Sequence, residues 1–114
     1  MNSEELAEAI VTRAVEYEDI SFAEINRLWP ETRGDHWLYF PEDRPNTIVW
    51  TDCSLLLDEA LSRILGKRLW FHTVPSMVYL IDGAVPHLPE ARRWVKPDFK
   101  KAHWLPVVLK PKRP

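Results

Sequence analysis

Apolar residues recur at helical spacing in three stretches of this 114-residue chain. Leu6, Ala9, Ile10, Ala14 and Tyr17 share one side of a helix running from about Ser3 to Glu18, with Glu4, Glu5, Glu8 and Glu16 at the polar positions. Asn2 and Glu5 have the spacing of a cap at its start. Ser21 and Glu24 repeat that spacing as a capping box, and Ile20 and Ile25 sit where a hydrophobic staple closes over it. A short second helix is therefore predicted from Phe22 to Trp29, stopped by Pro30, because a proline drives the residue before it out of helical geometry. The third stripe is Leu57, Ala60, Leu61, Ile64 and Leu65, with Thr51 or Asp52 as its cap and Gly66 in the left-handed position beyond its end.

Elsewhere the pattern is that of strands. His36 to Phe40 and Thr47 to Thr51 are aromatic and β-branched runs that bracket the turn formers Pro41, Asp43, Pro45 and Asn46, which predicts a hairpin. Arg68 to Val74 and Met77 to Asp82 predict a second strand pair directly after the third helix. Residues 83–101 hold Pro86, Pro89 and Pro97 and read as irregular chain with one helical turn near Glu90 to Trp94. A last strand, His103 to Leu109, contains Pro106, which assigns it to a sheet edge. The expected architecture is one α+β domain over residues 1–114: three helices, an inserted hairpin and a small antiparallel sheet towards the C-terminus. Residues 92–114 form a basic, proline- and aromatic-containing extension.

Two pieces of this order resemble the winged-helix superfamily. Asp19-Ile20-Ser21-Phe22-Ala23-Glu24-Ile25-Asn26-Arg27-Leu28 is similar to its first-strand residue followed by its second helix. Leu55 to Gly66, then Lys67-Arg68-Leu69-Trp70-Phe71 and Val78-Tyr79-Leu80-Ile81, is similar to its recognition helix followed by the wing. The chain departs from the pattern in one respect: Pro30 to Trp50, itself hairpin-like, separates the second and third helices. The resemblance implies DNA binding, yet the third helix offers Asp52, Asp58 and Glu59 where base-reading cations or amides are needed. The expected wing tip, Val74-Pro75-Ser76-Met77, carries no cation. Sequence-specific readout through that helix is not expected.

Charge changes the picture more than composition does. With 46% hydrophobic and 28% charged residues the chain has the make-up of a globular domain. Its net charge of −2 hides an asymmetry: residues 1–59 hold 14 acids against 4 Arg, whereas residues 92–114 hold 8 cations against Asp98. Such polarity fits either an anionic partner or attraction between the two ends of one folded unit. Cys53 is the single cysteine, so an internal disulfide is excluded, and no apolar run reaches membrane-spanning length. A cytoplasmic protein is the expectation.

Three sets of residues carry candidate chemistry. Arg92, Arg93, Trp94, Lys96, Lys100, Lys101 and Trp104 interleave cations with rings, the combination that neutralises phosphates and stacks on bases. Arg63, Lys67 and Arg68 extend that surface, although cations at a helix C-terminus also answer the helix dipole. The alternative is that the rings anchor the segment on the core while its cations face the acidic first half. Trp37, Tyr39, Phe40 and Trp50 of the hairpin make a surface for a protein partner or a second copy, or else extend the core. Cys53, expected in the first turn of the third helix, is a more remote thiol-enzyme or redox candidate. His36, His72, His87 and His103 lack metal-ligand spacing. The reading is thus a non-catalytic binding protein without metal or cofactor: non-specific nucleic-acid association first, a protein–protein adaptor or homo-oligomer second.

Overall fold

A computed structural model describes residues 1–39, 46–81, 85–86, 88–90 and 102–111. The chain opens with helix α1 (Ser3–Tyr17), whose start is a complete capping box between Asn2 and Glu5. Leu6, Ala7, Ile10, Val11 and Ala14 form its buried stripe, and Glu18 ends it in a left-handed conformation. Of the residues expected on that side, Ala9 is half-buried and Tyr17 is exposed, its ring lying against the Arg13 guanidinium instead. Strand β1 (Ile20–Ser21) runs directly into helix α2 (Phe22–Leu28), where the Ser21 hydroxyl accepts the Glu24 amide. The Glu24 carboxylate does not reach back to close a box; it accepts from Arg13 Nε at 2.9 Å and so ties α2 to α1. A 3-10 turn at Pro30–Thr32 leads to strand β2 (His36–Tyr39). Strand β3 (Thr47–Cys53) pairs antiparallel with β2, as the hairpin pattern predicts.

Helix α3 (Leu55–Ile64) buries Leu57, Ala60, Leu61 and Ile64 of the expected stripe, while Leu65 lies beyond its end in extended conformation and is half-buried. Its cap is Ser54, whose hydroxyl accepts from the Leu57 amide, rather than Thr51 or Asp52. Those two residues remain in β3, and so does Cys53, because pairing with β2 keeps the backbone extended as far as Cys53 opposite His36. Gly66 occupies the left-handed region at φ 75° as expected. Strand β4 (Leu69–Thr73) follows.

The Met77–Asp82 run is not a strand in its described part. Met77–Ile81 is a short helix, α4, whose Tyr79 and Leu80 amides donate to the Ser76 carbonyl. One side chain decides this: Tyr79 is fully buried while Met77, Leu80 and Ile81 are exposed, a division that one helical turn provides and a strand of alternating faces does not.

The C-terminal strands form two sheets rather than one edge. Strand β5 (His103–Trp104) lies parallel to β3, giving the order β2-β3-β5, and strand β6 (Val107–Pro111) lies antiparallel between β1 and β4, giving β1-β6-β4. Pro106 stands at the crossing. It needs no amide partner there, and its carbonyl accepts from Val74. Hence the proline does not confine the segment to an edge; β6 is the central strand of its sheet, and residues 104–109 are buried in the core. Residues 92–101, with the predicted turn at 90–94, fall outside the described residues apart from Glu90. The architecture is α+β, with four α-helices and two small sheets among the described residues.

An aromatic cluster joins the two sheets. Phe22 of α2 stacks on Trp50 of β3 with centroids 5.8 Å apart, Trp50 meets Tyr79 at 5.2 Å, and Tyr79 meets Trp104 edge-on at 5.3 Å. Phe71 of β4 lies against Phe22 with the ring planes tilted and centroids 6.3 Å apart. Offset and edge contacts of this kind add to the area that large rings bury. The inserted hairpin therefore shares one core with α1, α2 and α3.

Candidate functional site

The loop and hairpin between α2 and α3 are pinned by polar contacts rather than by regular pairing alone. Trp50 Nε1 donates to Asn26 Oδ1 at 2.8 Å, Asn26 Nδ2 donates to the Thr32 hydroxyl at 2.9 Å, and that hydroxyl donates to the Trp29 carbonyl at 2.7 Å. All three side chains are buried, so each bond satisfies a group that water cannot reach. Asn26 carries no motif and escapes sequence reasoning; the one signal is an amide on the buried side of a helix.

One turn further on, the Asp52 carboxylate accepts from Arg33 Nε and from the Gly34 amide, each at 2.9 Å. The Ser54 amide donates to the Thr32 carbonyl at 2.8 Å. A Cβ at Gly34 would lie 2.6 Å from the Cys53 carbonyl oxygen, so only glycine allows the two backbones to approach. His36 Nε2 contacts Asp58 Oδ2 at 2.9 Å, which fastens the start of β2 to α3.

These contacts present β2 with alternating sides. Leu38 points into the core, whereas Trp37 and Tyr39 are 39% and 53% exposed. Trp50, expected beside them, is instead a core residue at 4% exposure, because its ring stacks on Phe22 and its indole is held by Asn26. Phe40 lies outside the described residues. Among the described residues, the predicted aromatic surface thus consists of Trp37 and Tyr39.

Four residues of the expected nucleic-acid surface are described. Arg63 Nε donates to Ser3 Oγ at 3.1 Å and Arg68 pairs with Glu8, so both are engaged by α1. Lys67 is exposed. Trp104 is buried at 1% exposure under Tyr79, and stacking on a base is closed to it. Its Nε1 has no hydrogen-bond partner among the described residues. Arg92, Arg93, Trp94, Lys96, Lys100 and Lys101 lie outside them.

Cys53 is fully buried at the end of β3 rather than in the first turn of α3, and its thiol donates to the Ser54 carbonyl at 3.2 Å. Burial first, and then the negative charge of Asp58, push its pKa up to about 12. A thiol so held stays protonated at neutral pH and is a poor nucleophile. Among the described residues, no three His, Cys, Asp or Glu side chains are grouped to hold a metal ion, and no helix is long and apolar enough to cross a membrane.

A further apolar surface belongs to α4, where Met77, Leu80 and Ile81 are exposed. Their i, i+3, i+4 spacing is a helical signal, which the uninterrupted apolar run around them masks. Compared with known protein families, with curated proteins and with solved structures, the chain matches none.

Proposed function

We propose that this chain is a protein-binding module on a winged-helix-like scaffold, and that it binds through the outward side of β2. The scaffold reading rests on connectivity. First strand, second helix, third helix and a later strand pair occur in the implied order, with β6 taking the part expected of residues 77–82 and joining β1 to β4. The observation that carries the function is the pair Trp37 and Tyr39, two large rings exposed side by side on a strand whose neighbours Leu38 and Trp50 are core. Large aromatics at a rigid surface are the side chains on which binding energy concentrates. A photo-crosslinking amino acid at position 39, compared with one at the exposed Val15 of α1, tests the reading. Protein adducts specific to position 39 and lost in Trp37→Ala support it; equal adducts from both positions overturn it.

Charge favours a second reading, non-specific nucleic-acid association. Residues 92–114 carry 8 cations against one acid, enough for several phosphate contacts. Titration with mixed-sequence oligonucleotides at low salt separates the two: binding that weakens steeply with ionic strength and is reduced in a Lys100→Ala, Lys101→Ala variant supports it, and no binding removes it.

A further inference from the structure

We propose that β2 accepts an extended cationic peptide as an added strand, with basic side chains beside Trp37 and Tyr39 and apolar ones beside Leu38. The proposal rests on the protein-binding reading and names the partner's chemistry. β2 ends the β2-β3-β5 sheet, so along one side its main-chain donors and acceptors have no strand to pair with among the described residues. An incoming extended segment satisfies them by strand addition, and its side chains then alternate between the two faces as those of β2 do.

From His36 to Leu38 the partner strand steps from Cys53 to Trp50, and from Leu38 to Tyr39 it steps from Trp50 to Ile48. Both extra residues belong to β3, the inner strand, and burial alternates along Trp37, Leu38 and Tyr39 of β2. Leu38 in the core, the Gly34 amide on Asp52 and His36 on Asp58 hold that strand before any partner arrives, which lowers the ordering cost of binding.

Charge selects the partner. Residues 30–59 contain seven Asp or Glu against two Arg. Asp52 pairs with Arg33 and Asp58 lies 2.9 Å from His36 Nε2, while Glu31 and Asp35 are exposed and engage no cation among the described residues. Asp35 directly precedes β2, and the faces of Trp37 and Tyr39 attract Lys and Arg as cation–π partners. A neutral or acidic strand would leave these carboxylates unanswered. A segment alternating Lys or Arg with Val brings cations to the rings on one face, close in sequence to Asp35, and continues the apolar face of Leu38 on the other.

The test uses the full chain and three synthetic probes: a capped Lys-Val-Arg-Val-Lys-Val-Arg peptide, its analogue with Gln at every basic position, and its analogue N-methylated at alternate residues. Titration calorimetry should detect the basic peptide, with binding reduced about tenfold or more by the Gln analogue, by N-methylation, by Trp37→Ala and by Glu31→Gln with Asp35→Asn. Circular dichroism of each variant checks that the fold is retained. Equal binding of the N-methylated peptide excludes strand addition, and equal binding of the Gln peptide excludes charge selection; either overturns the proposal. Concentration-dependent self-association abolished by Trp37→Ala assigns the edge to a second copy and also overturns it. If position 39 still crosslinks a protein but the basic peptide does not bind, the partner chemistry is wrong and the protein-binding reading stands. Loss of both removes both.

Discussion

The Tyr79 hydroxyl donates to the Val107 carbonyl and at the same time accepts the amide of Phe22, so one phenol from α4 holds the start of β6 and the first turn of α2. Both partners are buried, and the Phe22 amide is one of the orphan donors of a helix start. Tyr79→Phe keeps the ring contacts with Trp50 and Trp104 but leaves a donor and an acceptor unpaired. A loss of about 2–4 kcal/mol is expected in urea denaturation. A change below about 0.5 kcal/mol means that water or another group replaces the hydroxyl.

Asn26 links α2 to the inserted hairpin through Trp50 and Thr32. Asn26→Ala should destabilise the protein by about 1–3 kcal/mol and shift the emission of the buried Trp50 indole, because Nε1 loses its acceptor. The companion change Thr32→Val tests the same chain of bonds from its other end. Unaltered unfolding midpoints in both variants rule out the network as the anchor of the hairpin.

Two glycines are expected to respond differently to alanine. At Gly66 nothing lies within 4 Å of an added Cβ and only the φ of 75° is unfavourable, so Gly66→Ala should cost about 1–2 kcal/mol. At Gly34 the added carbon meets backbone atoms of Cys53 and Ser54, and one side of that contact has to move. Gly34→Ala should cost more than Gly66→Ala and should loosen the start of β2, seen as faster amide hydrogen exchange at His36 and Leu38.

The Cys53 thiol has its pKa raised from 9.0 to about 12, so the folded chain holds this proton more tightly than the unfolded chain. Its contribution to stability is complete below about pH 9 and is lost as pH rises towards 12. The unfolding free energy should therefore fall with a slope of up to about 1.4 kcal/mol per pH unit from this group. Cys53→Ala should remove that component while leaving the contributions of tyrosine and lysine. At neutral pH the native thiol should react with a thiol reagent far more slowly than the denatured chain, and equal rates contradict the burial.

The Arg68–Glu8 and Arg63–Ser3 contacts join α3 and its end to α1 at the surface. Exposed pairs of this kind are worth about 0–1 kcal/mol, so Arg68→Ala should change the denaturation midpoint little. Leu61→Ala, in the middle of the buried stripe, should cost about 2–5 kcal/mol by comparison. A reversal of that order in thermal denaturation means that the helix pair is held by charge rather than packing.

Local signals determined much of this protein before any tertiary contact is considered. Leu6, Ile10 and Ala14 of the α1 stripe, Leu57, Ala60, Leu61 and Ile64 of the α3 stripe, the Asn2 and Ser21 caps, the end of α2 before Pro30, the hairpin around residues 36–51 and the left-handed Gly66 all arise from neighbours a few residues apart, and all are found. What the tertiary structure decided are choices between states of nearly equal local preference. The apolar run at 77–81 suits strand or helix, and the room for the Tyr79 ring beneath Trp50 and Trp104 selects the helix. Asp52 and Ser54 are both good caps; pairing of Cys53 with His36, distant in sequence, leaves the role to Ser54. The surface divides by the same cause. Trp37 and Trp50 are equivalent as sequence, but Asn26 and Phe22 draw one into the core and leave the other on the edge, because burial is a property of what folds over a side chain.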